Sequence, residues 1–251
     1  MPISKQRVAV VTGASRNIGR AIALSLAADG YTITCFGRDR TALEETAELV
    51  RKTGTQASIF VGDAKSNPVM EELAKHTLAT HGSIDVVINN AGSVREAKPA
   101  EMTAEQFADD LQINLVSQFA LARAAYPALR ASGRGVIVNI GSIAGAMAFP
   151  RAVSYCASKA GIDGLTRSLA FEWARDNIRV LCVAPGYVES DISKDVLSDA
   201  ATREWIIKRI PQRRVATPKE IGRFVAFMVS EHASFSTGET YYVDGGQRTA
   251  I

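Results

Sequence analysis

Short runs rich in Val, Ile and Thr alternate with longer amphipathic stretches from one end of the chain to the other. This rhythm predicts strand, helix, strand repetition and an α/β fold with a mostly parallel sheet. Strands are expected at residues 7–12, 31–36, 56–61, 84–89, 135–140, 178–183 and 240–243. Their apolar residues are nearly continuous, as in strands covered by helices on both faces. Helix starts are legible too. Asn67 before Pro68 reads as an N-cap ahead of a first-turn proline, Thr103 with Gln106 as a capping box, and Thr217, Pro218 and Glu220 combine both devices. Residues 155–176 carry Ala157, Ala160, Gly161 and Gly164 at near-helical spacing, which predicts that another backbone approaches that helix closely. Between 185 and 217 the rhythm breaks, and a mobile flap is expected there. Its cluster Lys208, Arg209, Arg213 and Arg214 reads as a solvated face on a lid helix.

Composition narrows the class. With 251 residues, 47% hydrophobic and 22% charged, the chain has the apolar content for a sizeable core and is neither disordered nor fibrous. Neither a signal peptide nor a run of about 18 apolar residues is visible, so a soluble, cytoplasmic protein with no membrane partner is expected. Lys plus Arg is 29 against Asp plus Glu 26, a net charge of +3, and aromatics are 7%. No basic stripe with stacking aromatics emerges, so no nucleic-acid partner is expected. Cys35, Cys156 and Cys182 lie far apart in apolar segments and read as small core residues in a reducing compartment. His76, His81 and His232 show no ligand spacing, so no metal is expected.

Candidate chemistry begins after the first strand, at Gly13, Ser15, Arg16, Asn17, Ile18 and Gly19, with a helix expected from near Arg20. A glycine turn between strand and helix aims backbone N–H groups at an anion, and a pyrophosphate suits it. The second strand is followed by Gly37 and Arg38 rather than by the acid that would hold a ribose 2′-hydroxyl. With Arg16, Arg38 suits a 2′-phosphate, so NADP(H) is favoured over NAD(H). The fourth strand ends in Asn89-Asn90-Ala91-Gly92, the fifth leads to Ser142, and Tyr155 and Lys159 form an i, i+4 pair on the next helix. That pair suits proton transfer to a carbonyl oxygen during hydride delivery. Tyrosine's ordinary pKa of about 10 is too high for acid–base work near neutrality, and a close Lys159 together with an oxidised nicotinamide is expected to lower it.

These motifs, with Pro185-Gly186 after the sixth strand, occur in order and at compatible distances. On them the sequence resembles the short-chain dehydrogenase/reductases, in particular the 3-oxoacyl carrier-protein reductase and sugar or polyol dehydrogenase group. The resemblance covers essentially the whole chain. It implies a single doubly wound Rossmann domain over 1–251, with a seven-stranded parallel sheet and a substrate flap at about 187–216. Ser142 would then hydrogen-bond the substrate carbonyl, Tyr155 exchange the proton, and Lys159 bind the nicotinamide ribose and tune the phenol. Asn114 would hold a water in a proton relay to the lysine. Asp63 with Ala64 would meet the adenine, and Asn90, with Ala91 and Gly92, the adenosine ribose and neighbouring strands. Pro185, Gly186, Val188 and Ser190 would meet the nicotinamide end. A homotetramer built partly on the 155–176 helix is implied as well.

Two departures from the family pattern bear on function. Asn17 replaces the middle glycine of the turn, and Phe171 stands where carrier-protein reductases have a basic docking residue. A small free carbonyl substrate is therefore expected, with a carrier-bound acyl chain or a sugar or polyol as the alternatives, and Arg95 and Arg151 near the entrance as partners for a substrate carboxylate. A non-enzymatic cofactor-binding protein is the reading from another class; possession of all four tetrad residues argues against it.

Overall fold

The computed structural model describes residues 6–249, apart from the side chains of Lys194 and Asp195. The Val- and Ile-rich runs form β1 (Val8–Thr12), β2 (Thr32–Gly37), β3 (Ala57–Val61), β4 (Val86–Asn89), β5 (Gly135–Ile140), β6 (Ile178–Pro185) and β7 (Thr240–Val243). All pair in parallel, in the order β3-β2-β1-β4-β5-β6-β7. Every residue of β1, β2, β4 and β5 is buried, whereas the edge strands β3 and β7 are only partly so. The expected strands are all present, with ends displaced by two residues at most.

The connections are helical: α1 (Asn17–Ala28), α2 (Arg40–Arg51), α3 (Asn67–His81), α4 (Ala104–Leu111), α5 (Ser117–Ser132), α6 (Val153–Trp173), α7 (Asp191–Ser198), α8 (Ala200–Arg209) and α9 (Pro218–Val229). One face of the sheet is covered through Ile22 and Leu26 of α1, Leu43 and Val50 of α2, and Ile221 and Val225 of α9. The other is covered through Met70 and Leu73 of α3, Leu121 and Leu129 of α5, and Leu169 of α6. Chain order reverses at β1, which lies between β2 and β4, so a crevice opens beyond their carboxyl ends. Buried polar bonds lock the strands around it. Asn89 donates to the Asn139 side chain at 2.9 Å, and Asn139 to Thr166 of α6 at 3.0 Å.

Three local expectations need correction. Helix α1 begins at Asn17, not near Arg20. Asn67 is the first residue of α3 and Ser66 its N-cap, because the Asn67 side chain accepts instead from Gln112 at 2.8 Å. The stretch expected to be irregular holds α7 and α8, joined at Asp199, which caps α8 by accepting from the Thr202 N–H at 2.7 Å. Ile206, Ile210 and Val215 pack there with Tyr187, Val196 and Leu197 in a small core of their own. Its basic residues are engaged locally. Lys208 pairs with Glu204, Arg209 stacks on Trp205, and Arg214 grips Glu220. The capping boxes at Thr103 and Thr217 form as read.

Candidate active site

The glycine turn builds its cleft by leaving out side chains. Gly13 has φ +65, and a Cβ there would stand 2.7 Å from the Asn90 amide nitrogen. One on Gly19 would land on the Gly13 carbonyl oxygen, and one on Gly37 would meet Ser15 Oγ at 2.7 Å. Asn17, the odd residue of the turn, takes φ 50, the left-handed region that asparagine tolerates better than most side chains. Arg16 makes no side-chain cap on α1, so the first-turn N–H groups stay open toward the cleft. Asn90 ties the turn to β4 by donating to the carbonyls of Thr12 at 2.8 Å and Gly13 at 3.2 Å.

The resulting cleft, of about 410 Å³, is lined by Arg16 and Arg38, by Asp63, Ala64 and Ile113, and by Ser190. Open N–H groups, a floor without side chains and two cations match the pyrophosphate and 2′-phosphate of a dinucleotide. Arg16 is paired with Asp191 at 2.6 Å, on the first turn of α7. For Arg38 no ion-pair partner is found among the described residues. The next residue, Asp39, is committed to capping α2 by accepting from the Ala42 N–H at 3.1 Å.

A second cavity of about 330 Å³ continues from the first, sharing Ile18, Asn90, Gly92, Ser190 and Ile192. Ser142, Tyr155 and Lys159 meet in its wall, together with Pro185, Gly186 and Val188. Ser142 accepts from the Ala144 N–H at 3.1 Å, which leaves its own proton for the Tyr155 phenol. Lys159 is 4% exposed, donates to the Ile140 carbonyl at 2.7 Å and lies 5.5 Å from the centre of the Tyr155 ring.

Burial dominates the electrostatics of the pair. Burial pushes the Tyr155 phenol above its ordinary value, and the hydrogen bond from Ser142 only moderates this. Burial also brings Lys159 down to about 8. The lysine faces the ring and a carbonyl oxygen, and its charge does not offset the burial of the phenol.

Asn114 is fully buried in a π-helical turn, Gln112–Val116, between α4 and α5. Its side chain accepts from the Ser93 N–H and donates to the Ser93 carbonyl, both at 2.9 Å. Gly92 lies between it and Lys159; a Cβ there would stand 2.7 Å from Asn114 Oδ1 and 3.9 Å from Lys159 Nζ.

Several sequence expectations about the surroundings fail. Neither Arg95 nor Arg151 lines the cavity. Arg95 is held by Asp110 at 3.2 Å, and the exposed Arg151 is turned by a φ of 59. The cavity wall is instead apolar, from Val94, Ile143, Phe149, Tyr187, Ile192 and Val196, with Glu96 as its carboxylate. Glu96 and the α7 residues carried no signal in the sequence, since a loop acid and an amphipathic turn look alike everywhere. The expected close approach of another backbone to α6 is made by Gly145, where a Cβ would stand 2.9 Å from the Lys159 carbonyl oxygen; Gly161 meets the Leu115 side chain, and Ala157 and Ala160 are exposed. Cys35 and Cys182 are core residues whose thiols burial pushes up to about 12, but Cys156 is only half-buried.

Comparison with known proteins gives matches over nearly the whole chain. The family profile described as enoyl-(acyl carrier protein) reductase matches residues 13–248. The 3-oxoacyl-[acyl-carrier-protein] reductase FabG of Chlamydia muridarum is 37% identical over 241 residues, 96% of each chain. A variant of actinorhodin polyketide ketoreductase, crystallised with NADPH, superposes with a TM-score of 0.92 at 31% identity over 99% of each chain. A provisionally named 2-deoxy-D-gluconate 3-dehydrogenase of Agrobacterium tumefaciens with bound NADP gives 0.89 at 32% identity over 98% of each.

Proposed function

This chain belongs to the short-chain dehydrogenase/reductase family, and from that premise we propose that it reduces a small free ketone with NADPH, or oxidises the matching secondary alcohol. The observation that carries the reading is the meeting of Ser142, Tyr155 and Lys159 in one cavity that runs into the glycine-floored cleft.

NADP(H) fits the cleft, where Gly13 to Gly19 would hold the pyrophosphate, Arg38 and Arg16 the 2′-phosphate, and Asp63 and Ala64 the adenine. Pro185, Gly186, Val188 and Ser190 would border the nicotinamide. When bound, the nicotinamide supplies or takes up the hydride at the carbonyl carbon.

The chain's own residues do the rest. Ser142 donates to the carbonyl oxygen and fixes it beside the phenol. Tyr155 gives its proton to that oxygen, and its raised pKa means it is protonated at neutral pH, as reduction requires. Lys159, with a pKa of about 8, holds its charge at neutral pH and steadies the phenolate left behind. Asn114, fixed by its side-chain bonds to Ser93, would hold a water that relays the proton to Lys159.

The size and charge of the cavity favour a small substrate without a carboxylate. A space of about 330 Å³ is at the low end for ligand sites, and among the described residues its charged walls are Glu96 and Lys159, with no arginine for a ketoacid. For an acidic carrier, Phe171 offers an 84% exposed ring, and Arg134 is bonded to the buried Asp85 at 3.2 Å. The carrier-protein reductase reading remains the runner-up because of the FabG relative. Helices α7 and α8 would form the substrate flap, with Ile192 and Val196 as its inner face.

The test is a screen of NADPH oxidation against neutral cyclic ketones, β-ketoesters, ketosugars, ketoacids and acetoacetyl carrier protein. Turnover highest on small neutral ketones is expected; turnover highest on the carrier-bound thioester would replace this substrate class with the runner-up.

A further inference from the structure

Asp110 is a carboxylate in a place that calls for an explanation. It is 3% exposed, on the last turn of α4, and is not part of either cavity wall. Removing a carboxylate from water is costly unless charge and hydrogen bonds replace the lost solvation. Both replacements come from elements that carry the candidate active site.

One partner is Ser154, itself fully buried, which donates to Asp110 Oδ2 at 2.7 Å. Ser154 is the residue before Tyr155, in the first turn of α6, a helix whose N-cap, Ala152, supplies no side-chain acceptor. A negative charge beside that uncapped turn is favourable in itself. The other partner is Arg95, whose Nε donates to Oδ1 at 3.2 Å. Arg95 lies between Val94 and Glu96, two residues that wall the substrate cavity. The same loop is fastened again where the Ala97 N–H meets the Arg151 carbonyl at 2.9 Å, and where Asn114 grips Ser93.

We propose that Asp110 is a positioning residue, fixing the substrate-side loop at 93–97 against the turn of α6 that presents Tyr155. The inference rests on Tyr155 being the proton donor. Proton transfer to a carbonyl needs the phenol within hydrogen-bond reach of the oxygen while the substrate rests on Val94, and an error of about 1 Å costs on the order of 100-fold in rate. Asp110 joins the two walls that set this distance. It touches neither substrate nor cofactor, so its removal should affect kcat rather than cofactor binding.

The experiment compares wild type with Asp110→Ala, Asp110→Asn, Ser154→Ala and Tyr155→Phe. It uses ethyl acetoacetate and NADPH for kinetics, fluorescence titration for NADPH affinity, and amide hydrogen exchange without substrate. For Asp110→Ala, kcat is expected to fall at least tenfold with NADPH affinity within twofold of wild type. Exchange should quicken at 93–97 and 152–158 and stay unchanged in β1 and α9. Asp110→Asn, which can still accept from Ser154, should recover to within about threefold of wild type. Adding Ser154→Ala to Asp110→Ala should cost little more, since the two act through one bond. Exchange that quickens across the whole sheet, or an Asp110→Ala enzyme with more than half the wild-type kcat, would overturn the proposal. Unchanged turnover in Tyr155→Phe would instead overturn the proton-donor reading, and the exchange pattern would then decide the positioning claim alone.

Discussion

The Lys159 ammonium donates to the Ile140 carbonyl at 2.7 Å, at the carboxyl end of β5, in a pocket so closed that its pKa is brought down to about 8. A lysine that titrates near the working pH makes catalysis pH-dependent. Below about 8 the ammonium is charged and can steady a Tyr155 phenolate; above that it is neutral and cannot. The rate of ketone reduction is therefore expected to fall as pH rises through about 8, and the fall should vanish from the residual activity of Lys159→Met. A profile with no inflection between pH 7 and 9 would contradict this assignment.

The same burial has a consequence for stability. Below about pH 8 both folded and unfolded states hold the Lys159 proton, and the folded state bears the full cost of the buried charge. Between about 8 and the ordinary value of 10.5 only the unfolded state holds it, so the cost disappears as pH rises. Lys159→Met removes that cost, on the order of 3 kcal/mol, but leaves the Ile140 carbonyl without its donor, worth about 1–3 kcal/mol. The variant should unfold at pH 7 at a temperature equal to or above that of wild type, and lose this relative standing by pH 10. Thermal melts at the two pH values read both outcomes, and a loss of more than about 5 °C at pH 7 would refute the argument.

Cofactor choice should depend on Arg38 more than on Arg16, which Asp191 already holds at 2.6 Å. Hydrogen bonds to a charged group are worth about 1.5–3 kcal/mol, so Arg38→Ala should cost on the order of 10- to 100-fold in kcat/KM for NADPH and little for NADH. Arg38→Asp should reverse the preference. Equal efficiency with both cofactors in wild type would remove the arginine argument altogether.

Glu96 gives the cavity its charge preference. Among matched six-membered ketones, the order of kcat/KM is expected to be cationic N,N-dimethyl-4-oxopiperidinium, then neutral 4-methylcyclohexanone, then anionic 4-oxocyclohexanecarboxylate. Glu96→Gln should compress the series and Glu96→Lys should favour the anion. An unchanged series in both variants would take Glu96 out of substrate selection.

The central strands were legible because strands buried on both faces leave near-continuous Val and Ile, and the end of each run fixed the level at which Asn90 and Ser142 stand. Tyr155 and Lys159 could be paired because an i, i+4 spacing fixes a helix face. Partnerships between distant segments could not be read in this way. Nothing in the sequence sets Asp110 apart from other acids on amphipathic helices, and only the packing of α4 on α6 brings it to Ser154. Arg95 looked available to substrate for the same reason. Spacing reports that a cation is near Tyr155, not where it points, so the weight of burial against that cation was not legible. Burial depends on the walls contributed by β5, α6 and the 185–196 segment together. A helix carrying Lys208 and Arg209 was legible in the 185–217 stretch, whereas α7 was not, because it is short and its cap, Ser190, is a common loop residue.

The most direct measurement is NADPH oxidation by Tyr155→Phe on the best ketone of the screen, alongside its NADPH affinity. The variant deletes one hydroxyl and keeps the ring against which Lys159 lies. Affinity within twofold of wild type is expected, with kcat reduced at least 100-fold, in the range general acid catalysis contributes. A variant that keeps a tenth or more of the wild-type rate would mean that another group delivers the proton, and the assignment of Tyr155 would be wrong.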